Sequence, residues 1–175
     1  MKVRLQKHRF EILLREHGRV IFKVAAIYAR EPEERRDLAQ EISVQLWRSF
    51  ARYDERQAKF STWLYRIALN VAISQLRRER RPGADRFEPL EAHHLESIGG
   101  GQTIAEQDER LVALYAFIGQ LDPLNRALIL LYLEDRGYAE IAEILGISET
   151  NVATKISRIK QKLRGQMTAG ASTGA

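Results

Sequence analysis

The sequence predicts an all-α protein: two small helical domains joined by a flexible acidic linker, the C-terminal one containing a helix-turn-helix. Three observations carry this. Apolar residues recur at the i, i+3, i+4, i+7 spacing of helices almost everywhere. Sustained period-two alternation and Asn-Gly or Asp-Gly hairpin turns are absent. Between Pro82 and about Thr103, two prolines, the run Gly99-Gly100-Gly101 and a loss of periodicity interrupt the helical pattern, as a linker does.

The elements follow in order. Phe10, Leu13 and Leu14, then Val20, Ile21, Val24 and Tyr28, predict one long helix or two short ones with Gly18 between, ended by Pro32. Leu38, Ile42, Leu46 and Phe50 stripe the next helix. A third is expected to open near Ser61 as N-cap, with Phe60 and Tyr65 as a hydrophobic staple. Its apolar face is Leu64, Ile67, Ala68, Val71 and Leu76, and Pro82-Gly83 stops it at about Arg81. Helices resume at Ile104 with Leu111, Leu114, Tyr115 and Ile118. Asp122 followed by Pro123 reads as a cap with proline at the first helical position, so another helix opens there. The Gly/Ala/Ser/Thr tail is expected to be disordered. The domains are therefore placed at 5–81 and 104–164, with the linker over 82–103 and the tail over 165–175.

Composition bounds the function. The 175 residues are 45% hydrophobic and 29% charged, with a net charge of +5, which suits a polyanionic partner. No cysteine is present, which excludes disulfides and thiolate metal sites. The longest apolar run, Ala127 to Leu133, is too short to span a bilayer, and basic residues interrupt the N-terminal apolar positions as they do not in a signal peptide. A soluble, cytoplasmic chain is expected. His93-His94 lacks the helical spacing of a metal pair, and Gly99-Gly100-Gly101 lacks the strand, helix and lysine of a phosphate loop. No nucleophile motif is visible, so neither enzymatic activity nor a cofactor or metal is expected.

Charge is segregated along this plan. From Trp63 to Arg81 there are five arginines (66, 77, 78, 80, 81) against Glu79, and from Glu149 to Arg164 five bases against Glu149. From Pro82 to Glu109 there are seven acids against Arg86. Each basic run could be a solvated helix face, and basic residues also complement a helix C-terminus.

The segment from Tyr138 to Leu163 is the sharpest motif. Tyr138, Ile141, Ala142 and Leu145 form the buried face of a short helix, with Ala142 small enough for a close helix crossing. Gly146 can take the left-handed conformation of a tight turn, Ile147 plugs it and Ser148 can cap the next helix. Val152, Ile156, Ile159 and Leu163 stripe that helix inwardly. Thr150, Asn151, Thr154, Lys155 and Arg158 remain outside, residue types that contact phosphates or read base edges in a major groove. An ordinary helical hairpin is the plainer alternative, but the small residue, glycine turn, cap and polar face all fall at the offsets a DNA-reading motif needs.

The N-terminal half carries a resemblance. Asp37-Leu-Ala-Gln-Glu-Ile-Ser-Val-Gln-Leu-Trp-Arg-Ser-Phe50, Phe60-Ser-Thr-Trp-Leu-Tyr-Arg-Ile-Ala-Leu-Asn70 and Leu76-Arg-Arg-Glu-Arg-Arg81, together with Leu121-Asp-Pro123 and the C-terminal motif, resemble bacterial sigma factors of the extracytoplasmic-function (ECF) group, from about Phe10 to Arg164. The resemblance implies that the first domain, region 2, docks on the clamp coiled coil of RNA polymerase through Asp37, Gln40, Glu41 and Gln45, with Trp47 and Arg48 nearby. It also implies capture of the opened minus-ten element by Phe60, Ser61, Thr62, Trp63, Arg66, Asn70, Arg77 and Arg78, for which aromatic faces and arginines are suited. Phe60, Trp63 and Trp47 fit core packing equally well. Asn70, in a helix where asparagine is unfavourable, points to function.

The second domain, region 4, would read the minus-thirty-five element as duplex through Tyr138, Ser148, Thr150, Asn151, Thr154, Lys155 and Arg158. The linker would thread polymerase near the RNA exit path, and an anti-sigma factor is an expected partner beside core polymerase and promoter DNA. Two departures leave the promoter sequence open. Ser74-Gln75 precede Leu76 where many members have Asp, and Asn151-Val152-Ala153 stands where many have Thr-Val-Lys. A helix-turn-helix regulator that never joins polymerase is the competing reading, but the N-terminal half offers no effector domain. A helical adaptor that binds only proteins is another, with the basic faces as solvent dressing.

Overall fold

The computed structural model describes residues 1–79 and 109–172, with side chains for 1–79 and 110–169. Every regular element among the described residues is an α-helix. The chain separates into two units, Met1–Thr103 and Ile104–Ala175.

The first unit contains α1 (Lys2–His17), α2 (Arg19–Tyr28), α3 (Pro32–Phe50) and α4 (Phe60–Glu79). α2, α3 and α4 pack on one another. Their apolar stripes meet in a core where Val24, Ile42, Leu46, Leu64, Tyr65 and Ala68 are fully buried. The N-terminal pattern resolves into two helices meeting at Gly18, which keeps right-handed helical angles (φ −61°, ψ −22°). Glycine is required there by proximity rather than by φ: a Cβ would lie 2.5 Å from the Leu14 carbonyl oxygen. Overlap that close, against backbone, forces the turn to move.

α3 opens with Glu31 as N-cap, Pro32 at its start and a reciprocal capping box between Glu31 and Glu34. One turn in, the buried Arg35 donates from Nε to the Ala29 carbonyl (3.1 Å), closing the end of α2. The stripe Leu38, Ile42, Leu46, Phe50 is buried as expected from its spacing. α4 starts at Phe60, two residues earlier than a cap at Ser61 implies. The Trp63 N–H donates to the Lys59 carbonyl (3.1 Å), so Ser61 lies inside the first turn and is not the cap. Nor does Phe60 staple to Tyr65: its ring faces Trp63 (5.4 Å) and Tyr53 (5.6 Å). The expected end of this helix at Arg81, the linker and Ile104 lie outside the described residues.

The second unit contains α5 (Glu109–Gln120), α6 (Pro123–Leu133), α7 (Tyr138–Leu145) and α8 (Glu149–Ser172). The Asp122 carboxylate accepts from the Asn125 N–H (2.9 Å), with Pro123 at the first position, as the sequence predicts. Four residues beyond the cap, Arg126 repeats the device of Arg35. Only 1% exposed, it donates to the Leu121 carbonyl from Nε (2.9 Å) and to the Gly119 carbonyl from Nη2 (2.6 Å). The local sequences Glu31-Pro-Glu-Glu-Arg35 and Asp122-Pro-Leu-Asn-Arg126 thus build the same corner. An acidic cap and proline start one helix while its arginine satisfies carbonyls left open at the end of the helix before it.

α6 packs against α7 and α8, and Leu128, Leu131, Ile141, Val152 and Ile156 form the centre of this core. Two expectations are corrected. The buried face of α7 is Ile141 and Ile144, whereas Tyr138, Ala142 and Leu145 are half-buried. The face is rotated because α7 is covered by both α6 and α8, not by one of them alone. The tail expected to be disordered from Gly165 continues α8 as helix to Ser172. Elongating an existing helix adds a hydrogen bond for each residue fixed, whereas only nucleation is costly, so small residues without a proline can follow on from a packed helix.

Candidate nucleic-acid interface

α7 closes on Gly146, which takes the left-handed conformation (φ 68°). The Ala142 carbonyl accepts from both Gly146 (2.9 Å) and Ile147 (3.3 Å), and the Ser148 hydroxyl accepts from the Asn151 N–H (3.1 Å) to cap α8. The turn therefore fixes the rotation of α8. Val152, Ile156 and Ile159 point inward, fully or nearly fully buried, and Thr150, Asn151, Thr154 and Arg158 are exposed on the other side. Ser148 is exposed but its hydroxyl is engaged in capping, and Lys155 and Tyr138 are half-buried. Sequence reasoning missed Ser157, exposed between Thr154 and Arg158. Its position seven residues after Thr150 places it on the same side of the helix. Lys160 stands with Nζ 4.2 Å from the centroid of the Tyr132 ring, tying α8 to α6 within the domain.

In the first unit, Trp63, Arg66, Asn70 and Arg77 fall at intervals of three, four and seven along α4, which places them on one side of the helix. Asn70, Arg77 and Arg78 are exposed, Arg66 and Trp63 half-buried. Trp63 is packed by the tilted rings of Tyr53 (4.9 Å) and Phe60 (5.4 Å) and edge-on by Phe50 (6.1 Å), yet the residue stays half-exposed. Phe60, Ser61 and Thr62 are all buried in this domain. Beginning the helix at Phe60 turns them towards the core at the level where α4 meets α2 and α3.

The connection between α3 and α4, residues 51–59, is held by its own side chains. Asp54 accepts from Arg56 through Nε (3.0 Å), Nη2 (2.9 Å) and the backbone N–H (3.0 Å). The Tyr53 hydroxyl donates to the Ala58 carbonyl (3.2 Å), and Arg9 of α1 pairs with Glu55 (2.5 Å). Those bonds from the Arg56 side chain, then its backbone N–H, hold the Asp54 carboxyl below the ordinary carboxylate range. Burial of the Tyr53 phenol raises it above its usual value. Arg52, Arg56 and Lys59 of this connection are exposed, and its Tyr53 belongs to the aromatic cluster around Trp63. No alternating or helical pattern marks such a loop, and its side-chain contacts span 46 residues.

On α3, Asp37, Gln40, Glu41 and Arg48 are exposed, and Gln45 donates to Glu41 (3.0 Å). The Trp47 ring lies 5.2 Å from Phe10, yet 40% of the residue is exposed. Beside this face runs a groove of about 600 Å³, lined by Leu14, Ile21, Phe22, Arg36, Gln40 and other residues of α1, α2 and α3. No helix among the described residues is long and apolar enough to cross a membrane.

Residues 13–82 match the family Sigma-70 region 2, and residues 111–163 match Sigma-70, region 4. The chain is 29% identical over 165 residues to the RNA polymerase sigma-H factor of Pseudomonas aeruginosa, covering 90% of this chain and 85% of that protein. It is 30% identical over 144 residues to the ECF RNA polymerase sigma factor SigK of Mycobacterium sp. (strain JLS), covering 78% and 69%. Among solved structures, CnrH in complex with the cytosolic domain of CnrY aligns over 93% of this chain and 90% of its own, with 26% identity and a TM-score of 0.67. The sigma factor RpoE in complex with the anti-sigma factor NepR from Bartonella quintana shares the fold at 17% identity and a TM-score of 0.63, over 93% and 96%. The chain belongs to the extracytoplasmic-function group of the sigma-70 family, as a non-catalytic subunit that binds core RNA polymerase and directs promoter-specific initiation of transcription.

Proposed function

We propose that promoter reading is divided between two surfaces of this chain. The exposed face of α8 enters the major groove of the minus-thirty-five element as duplex. Thr150, Asn151, Thr154 and Arg158 face base edges there, and Ser148, Lys155 and Tyr138 lie near the phosphates. The observation that carries this is the rotation of α8: a left-handed turn and a serine cap bury Val152, Ile156 and Ile159 and leave a continuous polar face. Asn151 suits an adenine edge, Arg158 a guanine edge, and Ala153 offers a methyl to thymine.

The open part of Trp63, with Arg66, Asn70, Arg77 and Arg78, takes the melted minus-ten strand, stacking a base and following the backbone. The loop 51–59 forms the other wall of that site. The polar face of α3 (Asp37, Gln40, Glu41, Gln45, Arg48) with the exposed edge of Trp47 meets the polymerase clamp, where wet, polar contacts are the rule for reversible assemblies. The chain works in the cytoplasm, and by analogy with the solved complexes of its neighbours it is held in check by an anti-sigma protein. The test is run-off transcription with core polymerase and this chain across promoters of its own genome. Promoter-dependent transcripts that vanish with Trp63→Ala support the reading; a chain that fails to bind core polymerase overturns it.

A further inference from the structure

α1 projects past the packed core. Its first buried residue is Phe10, and of residues 1–9 all but the half-buried Gln6 are exposed. What this stretch carries is charge: Lys2, Arg4, Lys7 and Arg9, with no acid before Glu11. Lys7 pairs within the helix with Glu11 (3.9 Å). Lys2 and Arg4 make no ion pair among the described residues. Fully exposed helical turns gain little from packing, so a purely structural role leaves these two turns without a reason to be ordered or basic.

Their position supplies one. Arg9 grips Glu55 in the loop 51–59 (2.5 Å), and Phe10 lies against Trp47 (5.2 Å) and Phe50 (5.0 Å). Phe50 in turn contacts Tyr53 and Trp63. The basic turns of α1 are thus fastened to the wall of the site whose aromatic floor is Trp63. Lys2, seven residues before Arg9, lies on the same edge of the helix roughly 10 Å further out. The loop adds Arg52 and Lys59, both exposed, while Arg56 is held by Asp54. Exposed bases thus occur on α1 and on the loop to which it is fastened, the composition of a track for a nucleic-acid backbone.

We propose that the first two turns of α1 are a DNA-backbone contact, extending the single-strand site beyond the loop 51–59 and holding phosphates of the strand whose base Trp63 receives. This rests on the assignment of Trp63 to the melted strand made above. An anionic membrane surface fits the same charge less well. Met1, Leu5 and Ile12, all exposed, lie within about 40° of one another around the helix, but with Val3 about 200° from Leu5 they make a sparse stripe over three turns rather than the broad apolar face that inserts in a bilayer.

The experiment uses the holoenzyme and a fork-junction promoter DNA with a single-stranded minus-ten tail, titrated over a salt series. The double variant Lys2→Gln/Arg4→Gln is compared with the unaltered chain and with Trp63→Ala. Loss of two phosphate contacts lowers the slope of log affinity against log salt by about 1.4–1.8, at unchanged affinity for core polymerase. An unchanged slope while Trp63→Ala weakens binding overturns this inference alone. Unchanged binding in Trp63→Ala overturns the underlying site assignment. A drop in polymerase affinity in the double variant overturns the inference by making α1 a polymerase contact. So does salt-sensitive sedimentation with phosphatidylglycerol vesicles that the double variant loses while its DNA slope stays the same.

Discussion

Arg126→Met asks whether a buried cation, rather than apolar packing, holds the start of the region 4 domain. The side chain is 1% exposed and donates to the carbonyls of Gly119 (2.6 Å) and Leu121 (2.9 Å), at the end of α5 and just beyond it. A hydrogen bond from a charged donor contributes roughly 1.5–3 kcal/mol net, and each carbonyl left buried and unpaired costs a similar amount. Methionine restores most of the volume and removes the cost of burying a charge, which offsets part of the loss. The expected destabilisation is about 3 kcal/mol, a large share of what a domain of this size holds. The two tryptophans, Trp47 and Trp63, both lie in the other unit, so fluorescence and circular dichroism separate the domains. In urea, far-UV circular dichroism of the variant should show an early transition, its midpoint lowered by about 2–3 M at a slope near 1 kcal/mol per M. The tryptophan transition should stay where it is. A circular-dichroism midpoint that does not move, or both transitions moving together, refutes the reasoning.

Four other outcomes are expected. Gly18→Ala places a Cβ against the Leu14 carbonyl and should cost about 1–3 kcal/mol, read as a lower urea midpoint of tryptophan fluorescence. Arg158→Ala should weaken binding of holoenzyme to the minus-thirty-five duplex by about 1–3 kcal/mol, roughly 5- to 150-fold, if the residue reads a base; an equal loss on unrelated duplex identifies a phosphate contact instead. Asn70→Ala should impair opening, followed by a fluorescent base at the minus-ten element, more than closed-complex binding; equal loss in both refutes its role on the melted strand. The Asp54 carboxyl, held below 3.8 by Arg56, contributes to loop order above that pH and loses the contribution as pH falls through its lowered value. Carboxyl titration followed by NMR should therefore show Asp54 still ionised at pH 3.8, and titration at or above that value refutes the contact.

Much of the architecture was legible because it is written in local terms. Asp122-Pro123, Gly146 and Ser148 act on backbone groups within three or four residues, so their chemistry could be read without knowing what lies across the fold. The stripes Leu38–Phe50 and Val152–Ile159 were equally plain, since a 3.6-residue period identifies a buried face regardless of partner. Site residues were less legible wherever the same side chain serves packing or binding. Phe60, Ser61 and Thr62 read as contact residues and are buried, and the loop 51–59, with no period to mark it, carries the Asp54–Arg56 and Tyr53–Ala58 bonds.

The sequence by itself determined most of the helices, the caps at Asp122 and Ser148, the motif that turns α7 into α8, and the family through residues whose order along the chain suffices. Only the tertiary structure decided which side chains face out. Ile144 rather than Leu145 is buried because α7 is covered from two sides. Among the described arginines, Arg35 and Arg126 are drawn inside because carbonyls at helix ends two turns back need donors, whereas Arg158 and Arg77 stay in solvent. Charge and period are properties of the chain; which groups remain for a ligand is fixed only when neighbouring helices have satisfied the rest.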